Sequence, residues 1–122
     1  MISKTPEPPY YAVIFTSVRT NGDHGYKETA ANMLKLAAAQ PGFLGAESAR
    51  DINGKGITVS YWESLEAIEK WKFNSEHRQA KEKGRTEWYS DFAVRVAKVE
   101  DARISERPGR LPSDGTNGKE MQ

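Results

Sequence analysis

The chain contains no cysteine in 122 residues, which excludes disulfides, thiolate nucleophiles and thiolate metal sites. It also has almost no charge bias. The 18 basic and 17 acidic residues leave a formal net charge of +1, too little to attract nucleic acid or an anionic membrane surface. No apolar run approaches the roughly 18 residues a membrane span needs. The N-terminus lacks the charged and apolar regions of a signal peptide, so a cytoplasmic protein is expected. The two histidines, His24 and His77, lie far apart with no ligand pattern around them, so no metal is expected. A phosphate-cradling glycine motif is missing as well.

What is present suffices for one domain with a modest core: 37% hydrophobic and 29% charged residues, with polar ends diluting a denser middle. Residues 1–9 (MISKTPEPP) carry three prolines and little to bury, and read as an extended lead-in. Residues 10–102 form the domain. The remainder, 103–122 (RISERPGRLPSDGTNGKEMQ), is too polar for a core and is expected to lie along a surface, a partner subunit's among them.

Residues 10–18 (YYAVIFTSV) are β-branched and aromatic, hence a strand, with apolar residues on both faces. A turn at Asn21-Gly22-Asp23 leads into a helix from Asp23 or His24 to about Gln40. Tyr26, Ala30, Met33, Leu34 and Ala37 fall on one stripe of it. Pro41-Gly42 stops that helix. Two strands follow, 43–51 and 57–62, joined by a hairpin turn at Asn53-Gly54-Lys55-Gly56. On the second, Ile57, Val59 and Tyr61 face one way, Thr58, Ser60 and Trp62 the other. Ser64 is a plausible N-cap for a helix with Leu65, Ile68 and Trp71 on one face. Phe73 falls about 150° off that face at ~100° per residue. Asn74-Ser75 offers a second cap, so a break near Phe73 and a second short helix to about Gly84 are expected. The last strand, 91–101, alternates Phe92, Val94 and Val96 with Ala93, Arg95, Ala97 and Val99.

The order β-α-β-β-α-β predicts an α+β, ferredoxin-like fold: a four-stranded antiparallel sheet with two helices on one face. The other face keeps aromatic and branched residues whichever way the strands turn. A second copy stacked sheet to sheet would bury them, so a homodimer is expected.

Several local patterns are similar to the antibiotic biosynthesis monooxygenase family: PGF at 41–43, YWES at 61–64, Trp71 with a following SEH, and WY-x-DF-x-V-x-V over 88–96. The resemblance spans about residues 10–100. It implies a dimeric α+β barrel with a pocket between helices and sheet. The activity it implies is oxidation of a small phenolic, quinol or polycyclic aromatic substrate by O₂ without cofactor.

Within that frame His77 is the candidate base, since a neutral imidazole near a helix N-terminus can take a phenolic proton. A surface or capping histidine fits the same position. Trp71, Trp88, Tyr61, Tyr89 and Phe73 are candidate walls of an aromatic-lined pocket. Ordinary core or interface packing accounts for each of them too. His24 reads as a turn or cap residue, and Arg95 as crossing to a partner or meeting Glu47 or Asp51.

Three alternatives bear on function. A non-catalytic dimer that binds a small hydrophobic molecule or supports a stress response shares every feature above. Haem-degrading relatives resemble one another in a first-strand asparagine and a histidine about ten residues after the tryptophan. Here Thr16 and Ser17 stand on the first strand, Lys81 comes ten residues after Trp71, and His77 only six. RNA-recognition motifs share the topology, but the third strand (KGITVSYW) lacks their central stacking aromatics.

Overall fold

The structure is a computed structural model that describes residues 2–105; the expected tail beyond 105 lies outside the described residues. Alternating branched and aromatic residues make four strands: β1 (Tyr10–Arg19), β2 (Phe43–Arg50), β3 (Lys55–Trp62) and β4 (Tyr89–Val99). All pairings are antiparallel, in the order β2-β3-β1-β4. Among the described residues the α-helices are α1 (Tyr26–Ala38), α2 (Leu65–Lys72) and α3 (Ser75–Lys83). This is the ferredoxin-like α+β architecture. No described helix is long and apolar enough to cross a membrane.

The register arranges the helix-facing side chains in rows across the sheet. Trp62 and Tyr11 pair in the first row, with Phe43 beside Trp62 and Lys98 beside Tyr11. The next rows are Ala46–Ser60–Val13–Val96, then Ser48–Thr58–Phe15–Val94, then Arg50–Gly56–Ser17–Phe92. The packed core sits over the first row, where Trp62 is fully buried against Ala37, Ala67 and Ile68, with Phe43 and Trp71 at its margin. Gly42 makes this packing close. Its φ of 88° suits glycine, and a Cβ there would stand 2.6 Å from that of Ala67.

The expected break falls between α2 and α3, and each segment has its own cap. Ser64 Oγ accepts the Ala67 N–H at 3.0 Å, and Asn74 Oδ1 accepts those of Glu76 and His77 at 3.0 and 3.1 Å. Beyond α3 the chain does not pass straight into a strand. Residues Gly84–Trp88 form one π-helical turn, which inserts a residue and starts β4 at Tyr89, two residues before its expected start.

Two expectations are corrected by the structure. Arg95 pairs with Ile14 on the far edge strand, while Glu47 pairs with Val59 on the opposite edge strand, so Arg95 and Glu47 are kept apart. The lead-in buries more than its composition suggested. Ser3 N–H donates to Glu47 at 2.8 Å, and the Thr5 and Tyr10 hydroxyls share a 2.6 Å hydrogen bond. The lead-in covers one end of the helix-free face, where Tyr10 and Ala12 are buried.

Candidate functional site

Between the helices and the sheet lies a cavity of about 440 Å³, a size usual for a small-molecule site. The sheet rows form its floor. On the β2–β3 half the floor carries the hydroxyls of Ser48, Thr58 and Ser60; on the β1–β4 half it carries Val13, Phe15, Val94 and Val96. Helix α1 contributes Tyr26, Ala30, Met33, Leu34 and Ala37, the stripe expected from its spacing. The β4 side is open, with Phe92, Val94 and Val96 each about half exposed.

At one end the break between α2 and α3 folds His77 back onto Trp71. The two rings stack with centroids 4.2 Å apart and planes within 12°. Trp71 in turn stacks on Trp62 at 6.0 Å. His77 Nδ1 lies 3.0 Å from the Trp71 carbonyl oxygen. A carbonyl can only accept, so Nδ1 carries the proton and the lone pair of a neutral imidazole is on Nε2. Burial pushes the His77 pKa below its ordinary value; the Trp71 carbonyl opposes this and the nearby Lys81 charge adds to it. The sequence pointed to a neutral imidazole through the helix terminus, but burial is the larger cause. The Trp71 indole N–H meets no acceptor among the described residues and is free for a ligand.

At the other end stand Tyr26, Trp88 and Tyr89. The Trp88 indole N–H donates to the His24 carbonyl at 2.9 Å, so Trp88 offers a ligand only its apolar ring. Burial and the Tyr26 phenol raise the Tyr89 pKa, which keeps Tyr89 protonated. Gly84 admits the Tyr89 ring, since a Cβ there would come within 3.0 Å of it.

Two of the expected wall residues are elsewhere. Phe73 is the C-terminal cap of α2 and is 63% exposed. The break lets the chain turn, yet the ring stays on the side opposite Ile68 and Trp71. Tyr61 lies on the helix-free face, where its hydroxyl donates to Glu47 at 3.2 Å and its ring meets Tyr10 edge-on at 5.8 Å. It lines a separate hollow of about 310 Å³ beside the lead-in. Trp71, His77, Trp88 and Tyr89 do line one cavity. The hydroxyl floor was not anticipated. Its only sequence signal is that Thr58 and Ser60 alternate with apolar residues on the strand face that also carries Trp62. Among the described residues no three His, Asp or Glu side chains converge as metal ligands.

Comparison with known proteins agrees with this architecture. The family profile described as "Antibiotic biosynthesis monooxygenase" matches residues 9–83. Uncharacterized protein YqjZ of Bacillus subtilis (strain 168) is 62% identical over 103 residues, covering 84% of this chain and 90% of its own. Among solved structures, protein SO0527 from Shewanella oneidensis has a TM-score of 0.68 at 10% identity, covering 83% of this chain and all of its own. SnoaB, a cofactor-independent oxygenase from Streptomyces nogalater, has a TM-score of 0.63 at 10% identity, covering 80% of this chain and 97% of its own. At such identities the two structures speak for the fold. The chain belongs to the antibiotic biosynthesis monooxygenase family.

Proposed function

We propose that this member of the antibiotic biosynthesis monooxygenase family is a homodimeric, cofactor-independent monooxygenase acting on a small phenolic, quinol or polycyclic aromatic substrate. The observation that carries the reading is the His77–Trp71 stack. It supplies an oriented base and a flat aromatic wall in one cavity, with the imidazole tautomer held by the Trp71 carbonyl.

In this reading Nε2 of His77 takes the substrate's hydroxyl proton, and the Trp71 indole N–H steadies the resulting oxyanion. The electron-rich anion reduces O₂ and a C–O bond forms at a ring carbon. The His77 imidazolium returns its proton to the peroxide, and the hydroperoxide, with the hydrogen on that ring carbon, then loses water, leaving one oxygen atom as a carbonyl and the other in the water. Trp88 and the Val13–Phe15 half of the floor keep the ring dry, and Thr58 and Ser60 offer hydrogen bonds to its oxygens. The Ser60 hydroxyl already accepts the Trp62 indole N–H at 2.9 Å, which leaves its own proton to donate.

The helix-free face supports the dimer. Ile14, Val18, Ile57 and Val59 lie on it with no helix of the described residues above them, and Ile57 is 46% exposed. A second copy stacked there would cover that surface.

The test is oxygen uptake with a panel of quinols and anthrones against a protein-free control. His77→Ala should lower kcat by about a hundredfold or more while substrate still binds. Unchanged turnover in that variant, or binding with no oxygen uptake by the native protein, overturns the reading. The pH dependence follows from the depressed His77 pKa. Activity should persist below pH ~6.5, where an ordinary histidine is protonated, and fall only as pH drops through the lowered value. His77 also stabilises the fold most above pH ~6.5, with that contribution lost as pH falls through the same value.

A further inference from the structure

Around the end of the cavity away from His77 stands a group of residues that the proposed chemistry does not use. Tyr26 and Tyr89 meet edge to face there, with centroids 5.9 Å apart, and both line the cavity. Two guanidinium groups stand beside them. Arg19 Cζ lies 3.8 Å from the centre of the Tyr26 ring, and Arg50 Cζ lies 6.0 Å from the centres of both rings.

No carboxylate neutralises either arginine among the described residues. Arg50 donates to the Ser17 hydroxyl at 2.8 Å and to the carbonyls of Ser17 and Gly54; Arg19 donates to the carbonyls of Gly22 and Asp23. All of these acceptors are neutral. The ion pairs among the described residues lie elsewhere, at Glu69–Lys72, Glu82–Arg85 and Asp101–Arg103. Glu47 is the sole acidic residue among those lining the cavity, and its carboxylate is turned to the other face, toward Ser3 N–H and the Tyr61 hydroxyl. In addition, Arg19 Nε is buried with no acceptor.

The donors are also in surplus. Two phenols facing one another consume at most one O–H between them, so the pair keeps a proton to donate. No described carbonyl or carboxylate accepts it. Uncompensated positive charge beside an unused hydroxyl donor in a partly apolar cavity is suited to an anion.

We propose that this end of the cavity binds an anionic oxygen of the ligand. The donor is the O–H that the Tyr26–Tyr89 pair does not itself consume, and the Arg19 and Arg50 charges stand beside the two rings. The inference rests on the reading that the cavity takes an aromatic ligand, and it narrows the class. His77 stands near the start of α3 and Trp88, next to Tyr89, at the end of the π-helical turn that continues it, eleven residues and about 16 Å apart along the helix axis. A ligand with its oxidisable hydroxyl at His77 reaches the phenols only if it is longer than one ring and carries its acidic group on the far edge. The ligand class is therefore a multi-ring hydroxyarene with a carboxylate or ionised hydroxyl opposite the reacting position.

The probes are 2-naphthol and 6-hydroxy-2-naphthoate, which share a ring system and differ by a carboxylate at the far end. Binding is followed by quenching of the intrinsic tryptophan fluorescence, with 3-hydroxy-2-naphthoate as the isomer whose acid sits beside the hydroxyl. The native protein should bind 6-hydroxy-2-naphthoate about tenfold more tightly than 2-naphthol, with no such gain for the 3-hydroxy isomer. The ratio should fall to within about twofold of one in the Tyr26→Phe/Tyr89→Phe double variant, which keeps both rings, and in Arg50→Gln. Arg50 also ties β1 to the β2–β3 turn, so the tyrosine variant decides if Arg50→Gln does not fold. A ratio near one in the native protein, or a tenfold ratio surviving in the double variant, overturns the proposal. Equal binding of both probes removes only the anion site, whereas failure of both probes to bind removes the cavity reading as well.

Discussion

On the side of the sheet that faces the helices, the side chains fill only part of the available space. Trp62, Ile68 and Ala67 pack solidly over the first row, and then the small residues Ala46, Ser48, Ser60 and Thr58 leave a hollow that the helices roof without filling. On the reverse side the same four strands carry Ile14, Val18, Ile57 and Val59, and among the described residues a cover is present only at the Tyr10–Ala12 end. The difference is one of support. Two-layer folds must cover a sheet's apolar surface with another element. Here one face has helices to spare for a cavity, and the other has none. The hollow face suits a ligand and the bare face a second copy of the chain.

The largest way to break this contrast is to remove the solid end of the hollow face. Trp62→Ala deletes a fully buried ring and should destabilise the fold by about 3–5 kcal/mol in chemical denaturation; a loss below 1 kcal/mol would mean the first row is not the core. Next is the bare face. Ile57→Lys places a charge in the surface proposed to stack and should convert the proposed dimer to monomer at micromolar concentration by sedimentation, while His77 and the cavity are left in place. A dimer that survives this change is not built on that face. A smaller effect is expected at the break. Asn74→Ala removes the acceptor for two backbone N–H groups and should cost about 1 kcal/mol, lowering His77-dependent turnover through loss of the imidazole's position. The smallest effect sharpens the contrast between Trp71 and Phe73, two aromatics two residues apart. Phe73→Ala should change stability by no more than about 0.5 kcal/mol and leave ligand binding unchanged; a loss comparable to that of a buried ring would return Phe73 to the site.

These residues also separate what was legible in the chain from what was not. Ser64 and Asn74 announce their helices by local chemistry, because a cap is a contact between a side chain and backbone two or three residues away. The Phe73 misfit predicted the break for the same local reason. The fate of the Phe73 ring was not local, since leaving one face of a helix does not specify what waits on the other side. Tyr61 was correctly grouped with Ile57 and Val59, yet alternation sorts a strand into two sets without saying which set looks at the helices. Trp88 was a fair candidate wall, but its N–H is spent on a carbonyl 64 residues earlier. The π-helical turn that brings Tyr89 to Tyr26 leaves no propensity signal of its own.

The sequence by itself determined the order of elements, the caps, the amphipathic stripe of α1 and the family, because each is written in spacings of two to four residues. The tertiary structure decided which strand face became a floor, the stacking of His77 on Trp71, and the meeting of Arg19, Arg50, Tyr26 and Tyr89. Those depend on pairing register and on contacts between distant segments, where one strand's neighbour is chosen by the whole sheet.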